Sequence, residues 1–183
     1  MTTQPTARDR VLLAFEDLLI RDGERAATLD AVAAAAGVSK GGLLYHFKSR
    51  EALTAGLVAK LRELAEKDFA FMGADPRGGA DYYVRTSVFT ESTAFDRTIV
   101  AAMRLAQGED DSVRAAFEEL HKRWLGLVLA DVGDPAIARA IMLIGDGLYY
   151  NAALFGLPPH GSQQGEVQAL LDVVAALKSL GRR

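Results

Sequence analysis

Apolar residues recur along this chain with the period of a helix almost everywhere. Val11, Leu12, Phe15, Leu18 and Leu19 make one stripe, which Asp22-Gly23 breaks. Leu29, Val32, Ala33 and Ala36 repeat the spacing at i, i+3, i+4, i+7, with Thr28 ahead as an N-cap and Gly37 behind as a stop. Ser39 is placed to cap a third, short helix that carries Leu43, Leu44 and Phe47 inward. Ser49 is placed to cap a fourth, running to about Phe71 with Leu53, Leu57, Leu61 and Leu64 on one side. The clearest punctuation is Gly73–Ala80, with Pro76 and Gly78-Gly79. Further helical stretches follow at 80–91, 95–107, 111–131, 135–155 and 164–180. Asp96, Asp111 and Asp134-Pro135 mark helix starts, and Gly156–Gly165, with Pro158-Pro159, reads as a loop. No alternating run is long enough for a strand. The pattern predicts an all-α fold: a small N-terminal domain, 1–50, and a larger helical bundle, 51–183, with helix 51–71 linking the two.

Composition narrows the class. Half of the 183 residues are apolar, enough for a substantial core. The absence of cysteine removes disulfides and thiolate metal sites, which fits a reducing cytoplasm. No basic-apolar leader opens the chain, and no uncharged apolar run reaches the roughly 18 residues of a membrane span. A cytoplasmic protein with no membrane partner is expected. The net charge of −3 speaks against a nucleic-acid partner, but its distribution does not. Residues 1–60 hold eight basic and seven acidic side chains, against thirteen and seventeen in the remainder. Val38–Arg50 holds Lys40, Lys48 and Arg50, with His46 among them, and no acid. A local cationic surface matters more for phosphate binding than the total.

Gly41 and Gly42 sit in what otherwise reads as a short helix, where each glycine costs about 1 kcal/mol against alanine. Close approach by another molecule's backbone would offset that cost. Two short helices joined by a tight Gly-Val-Ser turn fit a helix-turn-helix, whose second helix enters the major groove of duplex DNA. Thr28 and Ser39 stand at helix N-termini that favour an anion. Lys40 can reach guanine acceptors or a phosphate. Tyr45 offers a hydroxyl on a stiff ring, and His46, Lys48 and Arg50 supply phosphate donors. A solvated charged face and a loose glycine turn are the bland alternatives for single residues; their coincidence in this order disfavours both.

The stretch TLDAVAAAAGVSKGGLLYHFKSREAL, Thr28 to Leu53, resembles the N-terminal domain of the tetracycline-repressor (TetR) family. The likeness lies in the threonine, the Ala-x-x-Ala-Gly-Val-Ser turn, the Leu-Tyr-x-Phe run and the following Ser-Arg-Glu-x-Leu. It covers about a quarter of the chain. The resemblance implies a dimeric, all-helical repressor that leaves its operator when a small molecule fills the C-terminal domain. By position it implies DNA contacts at Thr28, Lys40, Gly41, Gly42, Tyr45, His46, Lys48 and Arg50, to which Ser39 is added from its place at the helix start. Leu44 stands where a tyrosine is common, and Arg50 replaces the usual lysine.

The remainder is less informative. The resemblance implies a cavity between the middle helices, and Tyr83, Met103, Trp124 and Tyr149 are candidates for its lining. Asp146 and Asn151 are polar residues in an apolar helix, for which a ligand or a neighbouring side chain can be the partner. Ile141, Ile144, Gly145, Leu148 and Ala152, with Leu170, Val173, Val174 and Leu177, form stripes that suit either a homodimer interface or the monomer core. Glu118-x-x-His121 lacks the second copy a di-metal site needs, and Gly145-x-Gly147 lacks the strand a dinucleotide loop needs. No cofactor or metal is expected. The reading is a ligand-responsive DNA-binding repressor acting on a palindromic operator. An activator or ligand-independent regulator, and more remotely a helical enzyme or partner-binding protein, stay open.

Overall fold

The computed structural model describes residues 5–88, 93–108, 111–155 and 162–181, apart from the side chains at 152, 153, 155 and 162–164. Among the described residues the elements are all helical: α1 (Ala7–Asp22), α2 (Leu29–Ala35), α3 (Lys40–His46), α4 (Arg50–Ala74), α5 (Gly79–Thr86), α6 (Ala94–Ala106), α7 (Asp111–Val132), α8 (Pro135–Phe155) and α9 (Ser162–Gly181). None of these is long and apolar enough to cross a membrane.

The helix boundaries follow local chemistry. Thr6 and Asp9 cap α1 reciprocally. Thr28 accepts from the amide of Ala31 at 3.2 Å to start α2, and Ser39 from Gly42 at 3.0 Å to start α3. Ser49 accepts from Ala52 at 3.2 Å to start α4. Gly37 takes a φ of 65°, a left-handed conformation that closes α2 at little steric cost. Asp134 accepts from the amides of Ala136 and Ile137 and caps α8. Two expectations need adjusting. The start of α6 is capped by Thr93, not Asp96, whose amide donates to Thr93 Oγ1 at 3.0 Å. The helix expected over 80–91 ends at Thr86, because Ser87 turns its amide and hydroxyl onto the carbonyl of Tyr83. Positions 89–91 of that stretch lie outside the described residues, as do 156–161 of the expected Gly156–Gly165 loop, whose last residues are already in α9.

The chain packs as two compact units. The first runs to Glu63 and includes Arg97–Ala116; the second comprises Leu64–Asp96 and Phe117–Arg183. In the first, Val11, Leu12, Phe15 and Leu19 of α1 are buried with Val32, Leu43, Phe47, Leu53, Leu57 and Leu61. α1, α2 and α3 contact one another in pairs. In the second, α5 packs on α8 and α9, around Met72, Val84, Leu120, Trp124, Val128, Ile141 and Met142. Gly145 lies so close to Tyr83 that a Cβ there would stand 2.5 Å from its ring. Packing thus assigns Arg97–Ala116 to the unit that holds the N-terminal helices, a grouping that a division at residue 50 does not anticipate.

Candidate nucleic-acid interface

The first unit presents α3 with its apolar residues inward and its polar residues out. Leu43 and Phe47 are buried, Leu44 is half-buried, and Lys40, Gly41, Tyr45, His46 and Lys48 are exposed. Tyr45 is 82% exposed, unusual for a large aromatic ring. It meets His46 edge-on, with ring centroids 5.1 Å apart. A Cβ on Gly41 would meet nothing nearer than Ser39 Oγ at 4.0 Å. Among the described residues no crowding demands a glycine there.

The cations of this face are used differently. Lys40 Nζ lies 2.9 Å from Asp30 Oδ1, but both side chains are more than half exposed, so water and salt screen the pair. Lys48 makes no ion pair among the described residues. Arg50 does not point outward as expected. Its guanidinium donates to the carbonyls of Ala27 and Glu24, approaches the Glu24 carboxylate at 3.7 Å and lies over the Phe15 ring. It ties down the turn between α1 and α2, immediately before the Thr28 cap. An arginine suits this task because its fork reaches several acceptors at once. Arg8, not singled out from the sequence, lies over the Phe47 ring at 5.2 Å and adds a charge beside the end of α3.

The second unit assembles a different kind of cluster. The Trp124 ring has Phe69, Tyr83 and Phe95 around it, with centroids 5.3, 6.2 and 6.3 Å away. Each polar tip of these aromatics, and of their neighbours, ends on a carboxylate. Trp124 Nε1 and the Tyr82 hydroxyl donate to Asp68 at 2.8 and 2.9 Å. Tyr83 donates to Asp146 at 2.6 Å, and His121 Nε2 lies 3.4 Å from the other oxygen of that carboxylate. Tyr149 donates to Asp96 at 2.8 Å. Burial pushes the Asp68 carboxyl above its usual range, against the lowering effect of its two donors, and the nearby Asp96 charge adds to the rise. Burial, then Asp146, holds the Tyr83 phenol well above its usual range; burial, then Asp96, does the same for Tyr149. Both therefore stay protonated as donors.

The expected lining is thus brought together in part. Tyr83, Trp124, Asp146 and Tyr149 belong to this cluster; Asn151 is exposed, and Met103 belongs to the first unit. Asp68, Phe69, Phe95, Asp96 and His121 were missed, because their roles depend on helices far apart in the chain. Of the candidate interface residues, Ile141, Gly145 and Val174 are buried within the chain, so for these three the monomer-core alternative holds and not the interface one. Leu148, Leu170 and Leu177 are half-buried and Val173 is exposed; the side chain of Ala152 lies outside the description. The exposed large apolar residues include Leu143, Tyr150 and Leu154 on α8 and Val173 and Leu180 on α9.

Comparison with known proteins agrees with this architecture. A family profile described as bacterial regulatory proteins, tetR family, matches residues 12–57. One described as the tetracyclin repressor-like C-terminal domain matches residues 79–176, more than half of the chain. Among curated proteins no match reaches significance. Solved structures share the fold. The multidrug binding protein EbrR, complexed with malachite green, superposes with a TM-score of 0.67 at 21% identity, over 94% of this chain and 98% of its own. GusR of Salmonella enterica gives 0.63 at 20% identity, over 94% and 97%. NalD of Pseudomonas aeruginosa, the secondary repressor of the MexAB-OprM multidrug efflux pump, gives 0.62 at 19%, over 92% and 94%. Identities this low speak to the fold alone. Two family profiles, one on each side of the α4–α5 turn, together with the outward-facing α3, place the chain in the tetR family of bacterial transcriptional regulators.

Proposed function

We propose that this protein is a ligand-responsive repressor that binds a palindromic DNA operator as a homodimer. The observation that carries the reading is α3 itself: an acid-free segment, opened by Gly41-Gly42, that exposes Tyr45, His46, Lys40 and Lys48. Thr28, Ser39, Lys40, Gly41, Gly42, Tyr45, His46 and Lys48 form the DNA face, joined by Arg8. Arg50 serves it by holding the α1–α2 turn. Residues 1–50 read DNA, and residues 51–183 receive the effector and pair the subunits. The outward stripe Leu143, Gly147, Tyr150, Leu154 follows the helical repeat, as does Ala169, Val173, Ala176, Leu180 on α9. Two such stripes from each subunit suit an isologous four-helix contact.

The aromatic and carboxylate cluster around Trp124 supports a flat, cationic aromatic effector. Rings attract a cation through their faces, and a desolvated carboxylate gains from a positive partner. EbrR, with its malachite green and ethidium complexes, offers an analogy for that class. The test begins by selecting bound fragments from random duplex DNA and measuring their affinity against salt. A palindromic fragment bound by a dimer is expected, with release on adding a cationic aromatic compound. A monomer indifferent to duplex DNA at low salt overturns the reading. Binding that no such compound reverses overturns the effector class.

A further inference from the structure

Val38–Arg50 contains no acid, yet a carboxylate reaches the start of α3 from α2. Asp30 presents both oxygens to Lys40 Nζ, at 2.9 and 3.0 Å. The Lys40 and Asp30 side chains are 57% and 71% exposed, so their pairing adds little to folding. The first turn of α2 favours an acid, but that preference is met whichever way the carboxylate points. On a face that meets phosphates, a negative charge also lowers affinity. Stability and affinity both fail to account for the pair, and selectivity between duplex sequences is the property it can improve. Neither partner is saturated by the other, because an ammonium has three donors and a carboxylate about four acceptor sites. The pair therefore offers a donor and an acceptor side by side. Holding the long lysine in place also reduces the freedom it loses on binding.

We infer that Asp30 and Lys40 read one G·C base pair as a unit, Lys40 donating to the guanine and Asp30 accepting from the cytosine. This rests on the DNA-binding reading above and specifies the base pair that it selects. On the major-groove edge of G·C the guanine acceptors N7 and O6 adjoin each other, and the cytosine N4 amino donor follows. A lysine with a carboxylate at its side matches that order. On A·T the adenine N6 donor separates the acceptors N7 and O4, and the thymine methyl lies beyond them. Lys40 cannot bridge both acceptors there while Asp30 stays beside it. The carboxylate also repels the neighbouring phosphates, which keeps the ammonium from serving as a plain backbone contact. An acid so placed weakens binding to duplex in general and spares the one sequence that gives it a donor.

The test uses the full chain and the tightest palindromic fragment selected from random duplex DNA, with each half-site position exchanged in turn. In the unaltered protein one position is expected where G·C to A·T, made in both half-sites, weakens binding at least about thirtyfold. Asp30→Ala is expected to shrink that ratio below about fivefold and to leave the other positions within about twofold. The same variant should bind random duplex about threefold more tightly, since a charge facing the phosphates is gone. Lys40→Ala is expected to lose the preference at the same position, and the double variant to match Lys40→Ala, as two groups acting together require. A preference that survives Asp30→Ala, or one that the two single variants place at different base pairs, overturns the inference. A selected site with no such G·C position overturns this inference alone and leaves the DNA reading standing. A protein that binds no duplex overturns the DNA reading, and this inference with it.

Discussion

The two chemically active regions of this protein are opposites. The proposed DNA face of the first unit is local, exposed and held in shape by caps: Thr28, Ser39 and Ser49 each accept from an amide three residues on. The cluster in the second unit is non-local and largely buried, its members drawn from α4, α5, α6, α7 and α8. Tyr45 and Trp124 condense the contrast. One large aromatic is 82% exposed and, among the described residues, has its one ring contact with its neighbour; the other is 6% exposed and touches three rings and a carboxylate. An exposed face can change its partners at little cost to folding. A buried cluster cannot, so whatever it binds must compete with bonds that also hold the unit together.

The sharpest way to break this comparison is to delete both aromatics. Trp124→Ala is expected to cost about 3–5 kcal/mol in denaturant unfolding. Tyr45→Ala should stay within about 0.5 kcal/mol of the unaltered protein while weakening duplex binding. If the two variants lose stability equally, the contrast is wrong.

Pairing of subunits comes next. Leu143→Glu combined with Val173→Glu places charges on the outward stripes of α8 and α9. Sedimentation should then report a monomer, with operator affinity down at least about a hundredfold, because two linked reading heads become one. A persistent dimer would move the interface elsewhere.

Lys48 and Arg50 separate contact from support. Lys48→Ala should weaken binding to every duplex about tenfold and reduce the salt slope by about one. Arg50→Ala should lower stability and affinity but leave that slope where it was, since the guanidinium is already engaged by Glu24 and Ala27. A fall in slope for Arg50→Ala restores it to the phosphate contacts.

The smallest effect lies in pH. The Asp68 carboxyl is raised by burial, so the folded state holds its proton more tightly than the unfolded chain does. Its contribution to stability therefore falls as pH rises from the ordinary aspartate value through the folded value. A bound cation favours the ionised form, so affinity for ethidium should be full above the folded value and decline as pH falls through it. The decline should begin at a higher pH than for an ordinary aspartate, and Asp68→Asn should remove it. A pH-independent affinity would take Asp68 out of the effector site.

Much of the local structure of the proposed DNA face, its caps and its turn, was legible in the chain because the determinants lie within a few residues of each other. A hydroxyl followed three residues later by a free amide, a glycine at a helix end and an acid-free basic run are all short-range facts. Arg50 escaped this reading: its charge is visible in the sequence, but the direction of its guanidinium depends on a turn more than twenty residues earlier. The lining of the second unit was legible only in fragments. Tyr83, Trp124 and Tyr149 stand out as bulky residues, whereas Asp68 and Asp96 look like ordinary helix-surface acids until α5, α7 and α8 pack beside them. The same holds for Ile141 and Val174 against Leu143 and Tyr150. All lie on amphipathic helices, and periodicity identifies a stripe without saying what covers it.

The amino-acid order by itself determined the all-helical class, the caps, the turn before α3 and the glycine pair at its start, because helix period and capping are settled by neighbours along the chain. Only the tertiary structure decided which carboxylates meet which aromatics, where Arg50 points and which stripe remains on the surface. Those outcomes depend on side chains that packing brings together across more than a dozen residues, and local energetics cannot anticipate them.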